Sequence, residues 1–146
     1  MTQVRAPDTV ELLEALAGHL DDSGLARYAA IYSGDGLPAI YFGSLPDKPD
    51  TAILLNVYNE DRSRDDATPD YYVQIRYRTA GRDPRAVELL ADAVFRHLHD
   101  QSNVAWGGVN VLLCRRILRA PTAPDSNLRY TRPDSYRITT NPGETT

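Results

Sequence analysis

Residues Arg76 to Asp100 read RYRTAGRDPRAVELLADAVFRHLHD, and this stretch decides the fold class. RYR ends a run of alternating residues, AGRDP makes a turn, and a helix follows. Asp83 stands at the N-cap position and Pro84 at the first helical position, where its missing N–H is no loss. Val87, Leu90, Ala91, Val94 and Leu98 form an apolar stripe at helical spacing, with Phe95 beside it. Arg85, Glu88, Asp92 and Arg96 fall on the opposite face, with Asp92 and Arg96 spaced to pair. His97 and His99 occupy the last turn, where positive charge suits the helix dipole. The helix displays no evident catalytic group.

Upstream lie two clear strands. In Ala52 to Tyr58, residues Ile53, Leu55 and Val57 point one way. In Tyr71 to Arg78, residues Tyr71, Val73, Ile75 and Tyr77 share one face, and Tyr72, Gln74, Arg76 and Arg78 share the other. This alternation fits a sheet with one covered face and one wetter face. Antiparallel pairing is expected, with the polar connector NEDRSRDDATPD, Asn59 to Asp70, projecting away from the body. That connector is long for a hairpin, where about two to five residues are usual. Earlier still, Leu12, Leu13, Leu16, Ala17 and Leu20 predict a helix over Thr9–Leu20, capped by the Asp8 and Glu11 box. Asp21 to Gly24 breaks its pattern. Between Ala26 and Asp50 turn residues dominate, including SGDG and LPDKPD, with a candidate strand at Ala39–Phe42.

Downstream, NVAWGGVNVLLCRRILRA predicts a short strand, a Gly107-Gly108 turn and a longer strand from Val109 to about Arg119. APTAPDSN reads as a loop, and LRYTRPDSYRITT as a last strand. Pro133 removes one ladder donor, so it belongs at a sheet edge or an interruption. The order α-β-β-β-α-β-β-β predicts an α+β fold: a mostly antiparallel sheet with two helices packed on one face. Residues 1–140 read as a single domain, and 141–146 as a flexible tail, with fraying expected from Thr139 onward.

Bulk properties narrow the function. The chain has 146 residues, of which 42% are hydrophobic and 25% charged, as in an ordinary soluble domain. A net charge of −4 argues against an autonomous nucleic-acid binder. Cys114 is the sole cysteine, which leaves no internal disulfide and no cysteine-based zinc site. Apolar runs such as AILL are far shorter than the roughly 20 residues of a membrane helix. The opening MTQVRAPDTVELLEALAG carries acidic residues within its apolar stretch and does not read as a secretory signal. The expected compartment is the cytoplasm of the producing cell.

Candidate sites compete with plain structural roles. His97 and His99 diverge by about 200° around a helix, a poor shared metal site, and read as solvated side chains. The lone His19 reads likewise. Glu60, Asp61, Asp65 and Asp66 could suggest a magnesium site or an acid–base pair. Arg62 and Arg64 interleave with them, however, so a solvated tip or a contact surface is the better reading. Cys114 lies mid-strand and reads as an inert buried thiol. SGDG and WGGV match no phosphate-binding fingerprint. Thus no catalytic residue, cofactor or metal is expected. Nine tyrosines against two phenylalanines suit surfaces with one dry and one wet side. Arg115, Arg116, Arg119, Arg129, Arg132 and Arg137 make the C-terminal part basic, while the middle connector is acidic. Patches of opposite sign suit a head-to-tail contact between identical subunits, unless these charges pair within the chain.

RDPRAVELLADAVFRHLH, VAWGGVNVLLCRR and LRYTRPDSYRITT, in this order, resemble the small tail-terminator proteins of long-tailed bacteriophages, often labelled minor capsid proteins. The resemblance covers about Ile53 to Thr140 in order of elements, and Ala26 to Asp50 has no counterpart in it. It implies a structural virion protein without enzymatic activity, assembled in the host cytoplasm. Copies would form a homo-hexameric ring that caps the tail tube, stops its polymerisation and meets the head-completion or neck proteins. Genomic DNA would pass through the hole without sequence recognition, and no membrane is involved. In such a ring the Asn59 to Asp70 connector, with Glu60, Asp61, Arg62, Arg64, Asp65 and Asp66, is the candidate pore or tube-facing loop. Arg115, Arg116, Arg119, Arg129 and Arg132 are the candidate subunit-interface patch. The competing readings are a head-completion or neck subunit, and a small non-catalytic module that captures a peptide on a sheet edge.

Overall fold

The computed structural model describes residues 5–29, 34 and 36–142. The SGDG turn lies partly outside the described residues, and Tyr32 and the tail from 143 onward lie wholly outside them. Helix α1 is Thr9–Asp22 and helix α2 is Pro84–Leu98. The strands are β1 (Ala39–Phe42), β2 (Ala52–Asp61), β3 (Asp70–Thr79), β4 (Gln101–Trp106), β5 (Val109–Arg119), β6 (Ala123–Pro124) and β7 (Tyr130–Asn141). They form one sheet in the order β1-β2-β3-β7-β5-β4, with β6 pairing on β7. Every pair is antiparallel except β1 with β2. The α+β class and the element order match the sequence reading, and the two-residue β6 adds to it inside the expected loop.

The capping chemistry is the expected one. Asp8 accepts from the Glu11 N–H, and Glu11 reaches back to the Asp8 N–H. Asp83 accepts from the Arg85 N–H ahead of Pro84. Helix α1 continues to Asp22, past the expected Leu20. Leu12, Leu16 and Leu20 from α1, and Val87, Ala91, Val94 and Leu98 from α2, are fully buried. They pack on one face of the sheet, against Ile53, Leu55, Tyr71, Val73, Ile75, Tyr136 and Ile138. The Tyr71 hydroxyl donates to the Pro7 carbonyl ahead of α1, tying the helix entry to the sheet.

Register fixes the other face. Tyr72 stands opposite Arg137, Gln74 opposite Ser135, and Arg76 opposite Pro133. Arg137 in turn stands opposite Arg115, and Thr139 opposite Leu113. Among the described residues no helix covers this second face.

Several expectations need correction. The connector between β2 and β3 is shorter than read, because the polar residues Asn59 to Asp61 continue the ladder opposite Tyr72, Tyr71 and Asp70. Thr139 and Thr140 are not a frayed end. They belong to β7, and Thr140 is fully buried. Of the two places expected for Pro133, an edge or an interruption, it takes the interruption, within the central strand β7. There β7 loses its partner β5 at Asp134 and gains β6 at Thr131. The Pro133 carbonyl accepts from the Ala120 N–H at 3.1 Å on that side. A strand residue directs N–H and C=O to the same side, so the missing donor faces the gap. Arg78, which alternation puts on the wetter face, is buried. Its guanidinium donates to the carbonyls of Pro46, Pro49 and Asp50 at 2.7–2.8 Å and so anchors that turn.

Candidate assembly surfaces

The β2–β3 ribbon ends in the exposed segment Glu60–Asp66. Its own side chains tie it together. Arg62 donates to Glu60 at 2.6 Å and to the Asp66 carbonyl at 2.9 Å. Arg64 donates to the Thr68 carbonyl at 2.5 Å and pairs with Asp70 at 3.3 Å. Asp61 accepts from the Ser63 N–H and Asp65 from the Ala67 N–H, both Asx-type closures. The hydrogen bonds at Ser63 hold the Asp61 carboxyl below its ordinary pKa. The interleaved arginines therefore act as braces. Among the described residues Asp61, Asp65 and Asp66 form no ion pair, although Arg64 acts on Asp61 and Arg62 on Asp66 at longer range, so the tip presents three carboxylates without a contacting cation.

The five arginines read as one interface patch are dispersed. Arg132 is fully buried. It holds Asp134, also fully buried, in a two-pronged pair at 2.9 and 3.0 Å, and reaches Asp92 of α2 at 3.1 Å. Burial depresses its pKa, but the bonds from Asp134 and Asp92 outweigh that and hold it above the ordinary arginine value. Arg129 is largely buried, pairing with Asp125 at 2.9 Å and Asp50 at 3.1 Å and donating to the Asp47 carbonyl at 2.6 Å. Arg116 lies 3.9 Å over the Phe95 ring and 3.6 Å from Asp134. Arg119 pairs with Glu88 at 2.7 Å, and Arg115 with Asp100 at 3.2 Å. Arg132 and Arg129 are thus parts of the interior. Asp92 pairs with Arg132 rather than with Arg96, and Glu88, whose other oxygen takes the Thr122 hydroxyl, faces the sheet rather than solvent. What the patch reading missed is the uncovered sheet face, where Arg76, Arg115 and Arg137 share one side of β3, β5 and β7. Alternation places Arg76 on the wetter face, but only the strand order brings Arg137 and Arg115 beside it.

The titratable groups of the interior do structural work. His19 and His97 are not solvated. They stack at 4.7 Å between the ends of α1 and α2, and His19 also stacks on Trp106 at 5.0 Å. Burial, then the neighbouring His97, pushes the His19 pKa down. His99 accepts from the Arg116 N–H through Nδ1 at 3.0 Å. Cys114 is buried, which raises its pKa to about 12 and leaves it without thiolate character. Tyr77 and Tyr136 are buried, and burial raises both pKa values far above the ordinary one. Among the described residues no group of three or more His, Cys, Asp and Glu side chains could hold a metal. No helix among them is long and apolar enough to cross a membrane.

Comparison with curated proteins finds no match. The family model described as bacteriophage tail terminator protein matches residues 19–141. The match takes in Ala26 to Asp50, which the sequence resemblance left without a counterpart. It covers most of the chain, including every strand and α2. The chain therefore belongs to the bacteriophage tail terminator family, whose members are structural proteins of the phage tail.

Proposed function

We propose that this protein is the tail terminator of a long-tailed phage: six copies close into a ring that caps the tail tube, stops its polymerisation and presents a platform to the head-completion or neck proteins. The family match over residues 19–141 carries the proposal. The surface chemistry supports it. A ring needs contacts between two different patches of the same chain, and the acidic ribbon tip and the arginine-bearing sheet face differ in sign. We place the Glu60–Asp66 tip at the pore or the tube-facing rim. Six copies at −4 each would carry about −24 in total, and with the acidic tips on its rim the hole would repel phosphate instead of binding it. Genomic DNA then slides through without sequence recognition. Of the arginines first assigned to the interface, Arg115 and Arg119 remain about half exposed and available to a neighbour, each 47% accessible.

Deleting the gene and measuring tails by electron microscopy tests the role. Overlong tails are expected. Tails of normal length that fail to join heads would assign the protein to the neck and overturn the terminator reading. The D65K/D66K double variant should impair ring assembly or DNA passage; wild-type virion yield and tail length would remove the tip from the pore.

A further inference from the structure

The uncovered face of the sheet carries an arrangement that costs stability within one copy. Arg115 on β5 and Arg137 on β7 stand directly opposite each other, and like charges at opposed positions repel. Asp100 pairs with Arg115 at 3.2 Å and relieves it in part. Among the described residues Arg137 has no ion pair, nor has Arg76 on the same face of β3. Beside Arg137 lies an open groove of about 590 Å3 between the ribbon and β5. Leu112 and Leu113 give it an apolar side, and Arg137, Arg64 and the carboxylate of Asp70 a charged one. Arg64 is already held by Asp70, so Arg137 is the cation left for a visitor. The exposed side chains Ile117 and Leu118, 45% and 60% accessible, extend the apolar strip along β5.

We propose that this groove is the acceptor half of the subunit contact, and that its occupant is the β2–β3 ribbon tip of a second copy. The inference rests on the ring reading in one respect, that copies meet side by side, and it sets the tip in the seam between neighbours where that seam borders the pore. Charge complementarity identifies the occupant. Asp61, Asp65 and Asp66 are carboxylates that form no contact ion pair, with Arg62 and Arg64 acting on them only at longer range, and they sit together on one protruding, internally braced element. They meet an opposed arginine pair that lacks an anion for Arg137. The ribbon also brings an apolar body, since Tyr58 on β2 is 53% exposed and fits the leucine side of the groove. A phosphate backbone would satisfy the arginines but leave Leu112, Leu113, Ile117 and Leu118 facing a charged surface. Arg64 braces the donor tip and also lines the acceptor groove, but the donated carboxylates and the accepting Arg137 lie on different patches of the same chain, as a closed ring requires.

The sole cysteine is buried and unreactive, so introduced thiols report contacts cleanly. One preparation carries D66C and another L112C. After mild oxidation of the mixture, a disulfide-linked dimer is expected, absent from either preparation alone. R137E in the L112C copy should abolish the dimer, and R137Q should reduce it, with circular dichroism melting as the check on folding. Sedimentation of the unmodified protein, alone and with tail tubes, runs in parallel. Rings by mass without the mixed dimer overturn this contact and leave the ring reading standing. A protein that stays monomeric in every preparation, tubes included, overturns both. If the wild type retards duplex DNA and R137E abolishes the retardation while ring mass is unchanged, the face serves phosphate and the contact is overturned. If only R137Q folds, a reduced dimer supports the proposal and an unchanged one overturns it.

Discussion

Two regions of this molecule have almost the same composition and opposite fates. Beneath α2, Arg132, Asp134, Asp92 and Glu88 bring two arms of the fold together, with Arg132 and Asp134 fully buried. At the ribbon tip, Glu60, Asp61, Arg62, Arg64, Asp65 and Asp66 are exposed. The buried set is satisfied bond for bond inside one chain, and its loss should be felt as loss of fold. The tip keeps carboxylates unpaired, and its loss should be felt only where another molecule is near. Solvent access, more than charge count, separates the two.

The largest expected effect comes from the buried set. Arg132→Met leaves the Asp134 carboxylate out of water without its two-pronged partner. Removing one member of such a pair costs about 3–5 kcal/mol. Arg116, at 3.6 Å from Asp134, compensates in part. Urea denaturation should show the midpoint falling with the slope unchanged. Arg132→Met with Asp134→Leu should recover much of the loss, because apolar packing replaces a buried pair at little net cost. A single variant as stable as the wild type would show that the pair does not lock α2 to β7.

A smaller effect is expected at the seam between the helices. His19 stacks on His97 and Trp106, and its pKa is pushed down by burial and by His97. The folded chain therefore binds this proton less readily than the unfolded chain. Stability from this site is complete above the ordinary histidine pKa of 6.5 and is lost as pH falls below it toward the depressed folded value. His19→Gln should flatten the stability profile in that window while leaving the wild-type and variant curves parallel above it. Identical slopes below pH 6.5 would show that the stack does not sense protonation.

How much of this was legible in the sequence differs region by region. Period-two alternation in Tyr71 to Tyr77 and the capping residues Asp8 and Asp83 carried the strands and helices, because their partners are local. The buried arginine set was illegible for the opposite reason. RYTRPDSY reads as a polar strand, and the carboxylates that bury Arg132 come from a helix some forty residues away. The parallel pairing of β1 with β2 and the extension of β2 through Asn59, Glu60 and Asp61 also depend on what lies across the ladder. The acidic tip was found as a segment, but its bracing by Arg62 and Arg64 was not, since spacing alone does not distinguish a brace from an exposed cation. The groove beside Arg137 needed strand order, which alternation does not encode.

The smallest effect on the isolated fold should come from the tip, and this sharpens the contrast most. Asp65→Asn with Asp66→Asn removes two negative charges from residues that form no ion pair. The Asp65 turn survives, because an asparagine side-chain oxygen still accepts from the Ala67 N–H. Exposed substitutions of this kind change stability by no more than about 0.5 kcal/mol. The urea midpoint and the melting curve should therefore coincide with those of the wild type. Self-association should not coincide: the concentration needed for ring mass in sedimentation should rise, and the wild-type ring should weaken with added salt toward the variant's behaviour, because screening removes the same attraction. If the variant loses stability as the Arg132 variant does, the tip belongs to the fold and the two regions do not differ in kind.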